Sequence, residues 1–255
     1  MVIVLDCETK QSALAGLSAM FHCSASDLET VLRSIDLEGT YNRDGDTIEV
    51  AQPEYLYNYV EHKFGKPRSP DRVCWFHCTR SRKGNQFTQG ILPLDSALPY
   101  VWAMVIDVAR GTPAYARLQS MQEHGVSDFH YGLRTMCPTH HGPYGYLVKD
   151  CAFDPSRLWS HDYLRLPEIV EDICNAYVKE YGESIGHLYQ SALSPCIVKF
   201  SSDRGFAQGG LEGALLYAYT STKGLPLNFD SVYCFDGEGV AVEPCDILSI
   251  QNLDR

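Results

Sequence analysis

Apolar positions along the chain change period repeatedly, from helical spacing to short β-prone runs and back. Val2 to Leu5 is a brief β-type run, whereas Leu14, Leu17 and Phe21 give Ser12–Phe21 the spacing of one helix face. Ser26 and Glu29 stand three apart, a capping-box pattern before a helix with core face Leu28, Val31, Leu32 and Ile35. Asp44-Gly45-Asp46 predicts a turn, Tyr55–Val60 is a second apolar, tyrosine-rich stretch, and Lys66–Asp71, with two prolines, reads as a linker. The pattern predicts a small, mainly helical N-terminal region over residues 1–68.

From residue 69 to 255 strands and helices alternate irregularly. Val73–Phe76 has the composition of a buried strand, and it ends in the polar His77, Cys78 and Thr79. Arg80, Arg82 and Lys83 with Gly84 and Asn85 make a basic loop, and Gly90, Ile91, Leu92 and Leu94 return to core chemistry before a cap at Asp95 or Ser96. Leu98–Val108 and Tyr115–Gly125 are predicted helices, the first stopped near Gly111-Thr112-Pro113. Gly142 and Gly145 flank Tyr144, and Tyr146–Val148 continues as a strand. Pro167 suits the first turn of a helix, with Glu168, Glu171 and Asp172 near its positive end; His161, Asp162 and Arg165 precede it and are candidates to line a cleft. Pro195–Phe200 is a strand, and Gly213–Tyr219 is either helix or strand. The C-terminal stretch from Val232 reads as strand, Asp-Gly turn, strand, break, strand. These runs predict a mixed α+β fold: a split, antiparallel-type sheet core with flanking helices, in which the later strands share a core with Val73–Phe76.

Composition narrows the class. The chain has 255 residues, 45% hydrophobic and 21% charged, which is ordinary for a globular protein. No apolar run reaches the roughly eighteen residues of a membrane span, and the N-terminus lacks the basic region and apolar core of a signal peptide, so a cytoplasmic protein without membrane partners is expected. A net charge of −11 argues against a surface built mainly to grip nucleic-acid phosphates. Ten cysteines occur singly, without a CxxC pair, which fits reduced thiols rather than a disulfide framework.

The order strand, His77-x-Thr79, basic loop, Gly90-Ile91-Leu92 resembles the first block of the ADP-ribosyltransferase superfamily, in particular its DNA-modifying toxins and the RNA 2′-phosphotransferases. The strand around Tyr144 and Tyr146 resembles the second block, and Glu238 falls on the glutamate of the closing block. The resemblance implies NAD as substrate, with no metal. His77 and Thr79 would hold the nicotinamide ribose, either Tyr144 or Tyr146 would stack on the ring, and Glu238 would bind a ribose hydroxyl. Cleaving the nicotinamide–ribose bond passes through an oxocarbenium-like cation, which a carboxylate stabilises. Arg80, Arg82 or Lys83 would pair with the pyrophosphate, because guanidinium forks match phosphate oxygens, and His161 and Arg165 are further candidates for holding the dinucleotide. The acceptor stays open between nucleic acid, protein and water. By analogy the role would be that of a bacterial toxin or anti-phage defence protein.

Other readings are available from the same residues. Glu238 follows Asp236-Gly237 and is equally the exposed acid of a hairpin turn. Cys74, Cys78, Cys137, His140 and His141 supply enough soft ligands for zinc, which would suit a zinc-dependent hydrolase, although their spacing is not that of a finger or ribbon. A Cys–His hydrolase is a further alternative. Sixteen tyrosines also fit a non-enzymatic adaptor or immunity-type protein that binds a partner.

Overall fold

The computed structural model describes residues 2–44, 49–137, 139 and 141–253, so the turn expected at residues 44–46 lies largely outside it. Among the described residues six strands form one open sheet: β1 (Val4–Leu5), β2 (Arg72–Ser81), β3 (Tyr144–Tyr146), β4 (Ser194–Ser202), β5 (Cys234–Asp236) and β6 (Ile247–Asn252). Their order is β5-β3-β2-β4-β6, with β1 beside β2. β2 and β3 are antiparallel, as are β4 and β6, and β1 joins β2 in parallel. The helices are α1 (Lys10–Met20), α2 (Ala25–Ser34), α3 (Leu37–Asp44), α4 (Gln52–Phe64), α5 (Leu94–Val108), α6 (Ala114–His124), α7 (Phe129–Met136), α8 (Pro155–Leu158), α9 (Glu168–Tyr181), α10 (Gly186–Ala192) and α11 (Gln208–Lys223). The fold is α+β, as the pattern predicts, and no helix among the described residues is long and apolar enough to cross a membrane.

The chain divides into two compact units. The first comprises residues 1–76, 145–160 and 201–235. Its centre is α11, which is apolar on all sides and buried from Leu211 through Thr220 except at Glu212, with α1, α2 and α4 packed around it. All-round burial settles Gly213–Tyr219 as helix, since a helix without a polar face belongs inside a core. Its two tyrosine hydroxyls reach polar partners: Tyr217 donates to Asp150 Oδ2 at 3.1 Å, and Tyr219 accepts from the Leu37 amide at 3.3 Å. Trp75 of β2 is fully buried against Tyr233 and Phe235, with ring centroids 6.1 and 5.5 Å away. The α2 cap is Ser24, whose hydroxyl accepts the Asp27 amide at 3.0 Å; the Ser26–Glu29 box is not used, and Glu29 instead pairs with Lys10 and Arg33.

The second unit comprises residues 77–144, 161–200 and 236–255. Its core gathers Trp102 and Val105 of α5, Leu118 and Met121 of α6, Val170, Ile173 and Tyr177 of α9, and Tyr189 of α10. Trp102 Nε1 donates to the Tyr131 hydroxyl of α7 at 3.0 Å, and the Tyr189 hydroxyl to the Val105 carbonyl at 3.3 Å. α5 begins at Leu94 with Pro93 at its cap, so Asp95 lies in the first turn instead of capping it. Two sequence expectations are corrected. The segment Val240–Val242 forms only a single bridge, Val242 with Ile91, because the preceding turn and Glu243-Pro244 leave no room for a strand. Val73–Phe76 falls in the first unit and Val240–Val242 in the second, so the single core expected for them is not found.

Candidate functional site

β2 does not stop at Phe76. It runs on to Ser81 and carries His77, Thr79 and Arg80 into the second unit. Adjacent to β2 in the sheet is β3, whose first residue is Tyr144, and adjacent to β3 is β5, which ends at Asp236. Three sequence blocks therefore meet within the second unit, and backbone bonds tie them. His77 Nδ1 lies 2.7 Å from the Tyr144 carbonyl oxygen. The Gly237 amide donates to the Pro143 carbonyl at 2.9 Å, and the Gly239 amide to the Gly142 carbonyl at 2.7 Å. Ile91 and Val242 exchange two backbone bonds of 3.0 Å each. Glycine is required where these segments close: a Cβ on Gly90, at φ +78°, would lie 2.0 Å from the Val242 oxygen, and one on Gly237 would lie 2.5 Å from Pro143 Cδ.

A carbonyl can only accept, so Nδ1 of His77 carries the proton and Nε2 is left as an acceptor. Burial pushes the His77 ring below the ordinary imidazole range; the bond to Tyr144 pulls the other way and is the weaker effect. At neutral pH His77 is thus a neutral ring with an acceptor suited to a sugar hydroxyl. Tyr144 is 36% exposed, and its hydroxyl donates to the Thr139 carbonyl at 3.2 Å. Burial pushes the Tyr144 hydroxyl above the ordinary phenol range and so disfavours its ionisation, and the charges of Asp236 and Glu168 push it further the same way. Tyr146, the other candidate, is only 6% exposed and belongs to the first unit's core.

Glu238 occupies the tip of a turn closed by the Val240 amide and the Gly237 carbonyl at 2.9 Å. Both central residues have positive φ, 52° at Glu238 and 79° at Gly239, the signature of a type I′ turn. Its side chain is exposed. Asp236 Oδ1 accepts the Glu238 amide at 2.8 Å, which braces that conformation.

The expected cationic residues have other partners. The Arg80 guanidinium donates to the carbonyls of Leu164 at 2.6 Å, Gln190 at 2.6 Å and Leu193 at 2.5 Å, tying β2 to the C-terminal end of α10. Arg82 pairs with Asp107, which also holds Arg110 at 3.1 Å. His161 Nε2 donates to the Leu166 carbonyl at 2.6 Å, and Arg165 pairs with Glu171; both brace the turn into α9. Thr79 is half-buried on β2.

One residue not singled out in the sequence, Arg134 of α7, has its charge felt at the Tyr144 hydroxyl. Arg134 of α7 binds Asp172 at 2.9 Å and Glu168 at 3.4 Å. Burial pushes the Asp172 carboxyl up against the opposing pull of Arg134. The four-residue spacing of Glu168 and Asp172 on α9 was the available signal, since it puts both acids on one helix face. For the zinc reading, Cys74 lies in the first unit, Cys78, Cys137 and His141 lie in the second, and His140 is outside the described residues. Among the described residues no group of three or more His, Cys, Asp or Glu side chains is arranged to hold a metal. Compared with known proteins, the chain matches no family model, no curated protein and no solved structure.

Proposed function

We propose that the site formed by His77, Tyr144 and the Asp236-Gly237-Glu238 turn binds NAD and cleaves its nicotinamide–ribose bond, passing ADP-ribose to an acceptor or to water. One observation carries this reading: a strand histidine, a half-exposed strand tyrosine and a carboxylate-bearing turn come from the three neighbouring strands β2, β3 and β5, linked by backbone hydrogen bonds. A neutral His77 Nε2 accepts a ribose hydroxyl, the Tyr144 ring covers the nicotinamide, and the turn sets negative charge where the sugar becomes cationic. The pyrophosphate is not assigned to Arg80, whose guanidinium serves three backbone carbonyls. That occupation of Arg80, with the pairing of Arg82, favours a second reading in which the protein is an acidic binding module without catalysis. Thermal unfolding with and without excess NAD separates the two. A ligand at a hundred times its dissociation constant stabilises by about 2.7 kcal/mol, so NAD should raise the melting temperature by several degrees. No shift at saturating NAD would favour the second reading.

A further inference from the structure

Three carboxylates come near the Tyr144 end of this site, and the geometry points to Asp236, not Glu238, as the one that faces the reacting sugar of the proposed NAD site. The inference rests on that proposed function and refines it. Glu168 is held by Arg134 at 3.4 Å, so its charge is already countered. Glu238 stands at the tip of a type I′ turn, beyond the end of β5, and its side chain, like that of Asp236, is exposed. Asp236 differs from both. It closes β5, the neighbour of the strand that begins with Tyr144, and the next residue, Gly237, is clamped to the Pro143 carbonyl at 2.9 Å. Its Oδ1 accepts the Glu238 amide at 2.8 Å, which fixes the side chain and leaves Oδ2 to act. Its charge is felt at the Tyr144 hydroxyl.

The reaction then balances simply. The nicotinamide–ribose C–N bond breaks and its electron pair leaves on neutral nicotinamide. The oxygen of water or of a hydroxyl-bearing acceptor bonds to the same sugar carbon, and Asp236 takes its proton and releases it to solvent. The Asp236 carboxylate stabilises the intervening cation electrostatically. Loss of one such preorganised group costs on the order of a hundredfold to a thousandfold in turnover.

The test compares nicotinamide release from NAD by the wild type, Asp236→Asn and Glu238→Gln, each checked for an unchanged melting temperature. Asparagine retains an oxygen for the Glu238 amide, so the turn survives the first change. A fall of at least a hundredfold in Asp236→Asn, and a smaller fall in Glu238→Gln, is expected. The reverse pattern would overturn the assignment while leaving NAD cleavage in place. No release by the wild type with water, protein or nucleic-acid acceptors would instead overturn the proposed function itself, and this inference with it.

Discussion

His77 Nδ1 and the Tyr144 carbonyl oxygen stand 2.7 Å apart, so a side chain on β2 is oriented by the backbone of the neighbouring strand. That contact selects one tautomer of the ring and places its free nitrogen opposite the clamp.

A neutral, half-buried His77 makes stability pH-dependent. Its folded value lies below the ordinary 6.5 of the unfolded chain, so the unfolded chain binds more protons between the two values. The contribution is complete above pH 6.5 and is lost as pH falls through that window, with a slope of at most about 1.4 kcal/mol per pH unit. His77→Gln keeps a donor for the Tyr144 carbonyl but has no titrating ring. Denaturant titrations from pH 7.5 down to the acid limit should give the wild type a steeper loss of stability than the variant; parallel curves would contradict the neutral ring.

Arg80 serves as an internal brace. Replacing it with Ala leaves the carbonyls of Leu164, Gln190 and Leu193 short of a charged donor, and the expected cost is about 3 kcal/mol in urea unfolding. Arg80→Lys should recover only part of this, because an ammonium cannot reproduce the planar fork. An unchanged midpoint in Arg80→Ala would remove the brace from the account and free the guanidinium for a phosphate.

Gly90→Ala should be among the most damaging single-methyl additions. Its φ of +78° is strained for alanine, and the new Cβ would meet the Val242 oxygen at 2.0 Å. Loss of the Ile91–Val242 bridge is expected, seen as faster hydrogen exchange at both amides, together with a lower melting temperature. Protected amides in the variant would contradict the close approach.

Much of this architecture was legible in the pattern of the chain because local chemistry specifies it. β4 and β6 occur where β-branched apolar runs predict them, and α9 begins after Pro167 as its first-turn acids suggest. The α11 segment was ambiguous because burial on all sides erases the periodicity that separates helix from strand. α7 is not legible in the pattern: Gly132 weakens its propensity and none of its residues is fully buried, Tyr131 only partly packing against the core. Within the site, His77 and Tyr144 could be singled out from their strand ends, but the fate of the basic loop could not. Arg80 finds its acceptors at residues 164, 190 and 193, and Arg82 its acid at residue 107, distances in sequence that no local rule reaches. The environment of Glu238 turned on backbone geometry: Asp236-Gly237 signals a turn, but only the positive φ at Glu238 shows which residue occupies its tip.

The most direct measurement of the central claim is nicotinamide released from NAD by the wild type and by His77→Ala. The account predicts measurable release by the wild type and a loss of at least tenfold in the variant, with thermal unfolding verifying that both are folded. Equal release by the two, or none by the wild type with water, protein and nucleic-acid acceptors each supplied, would contradict it.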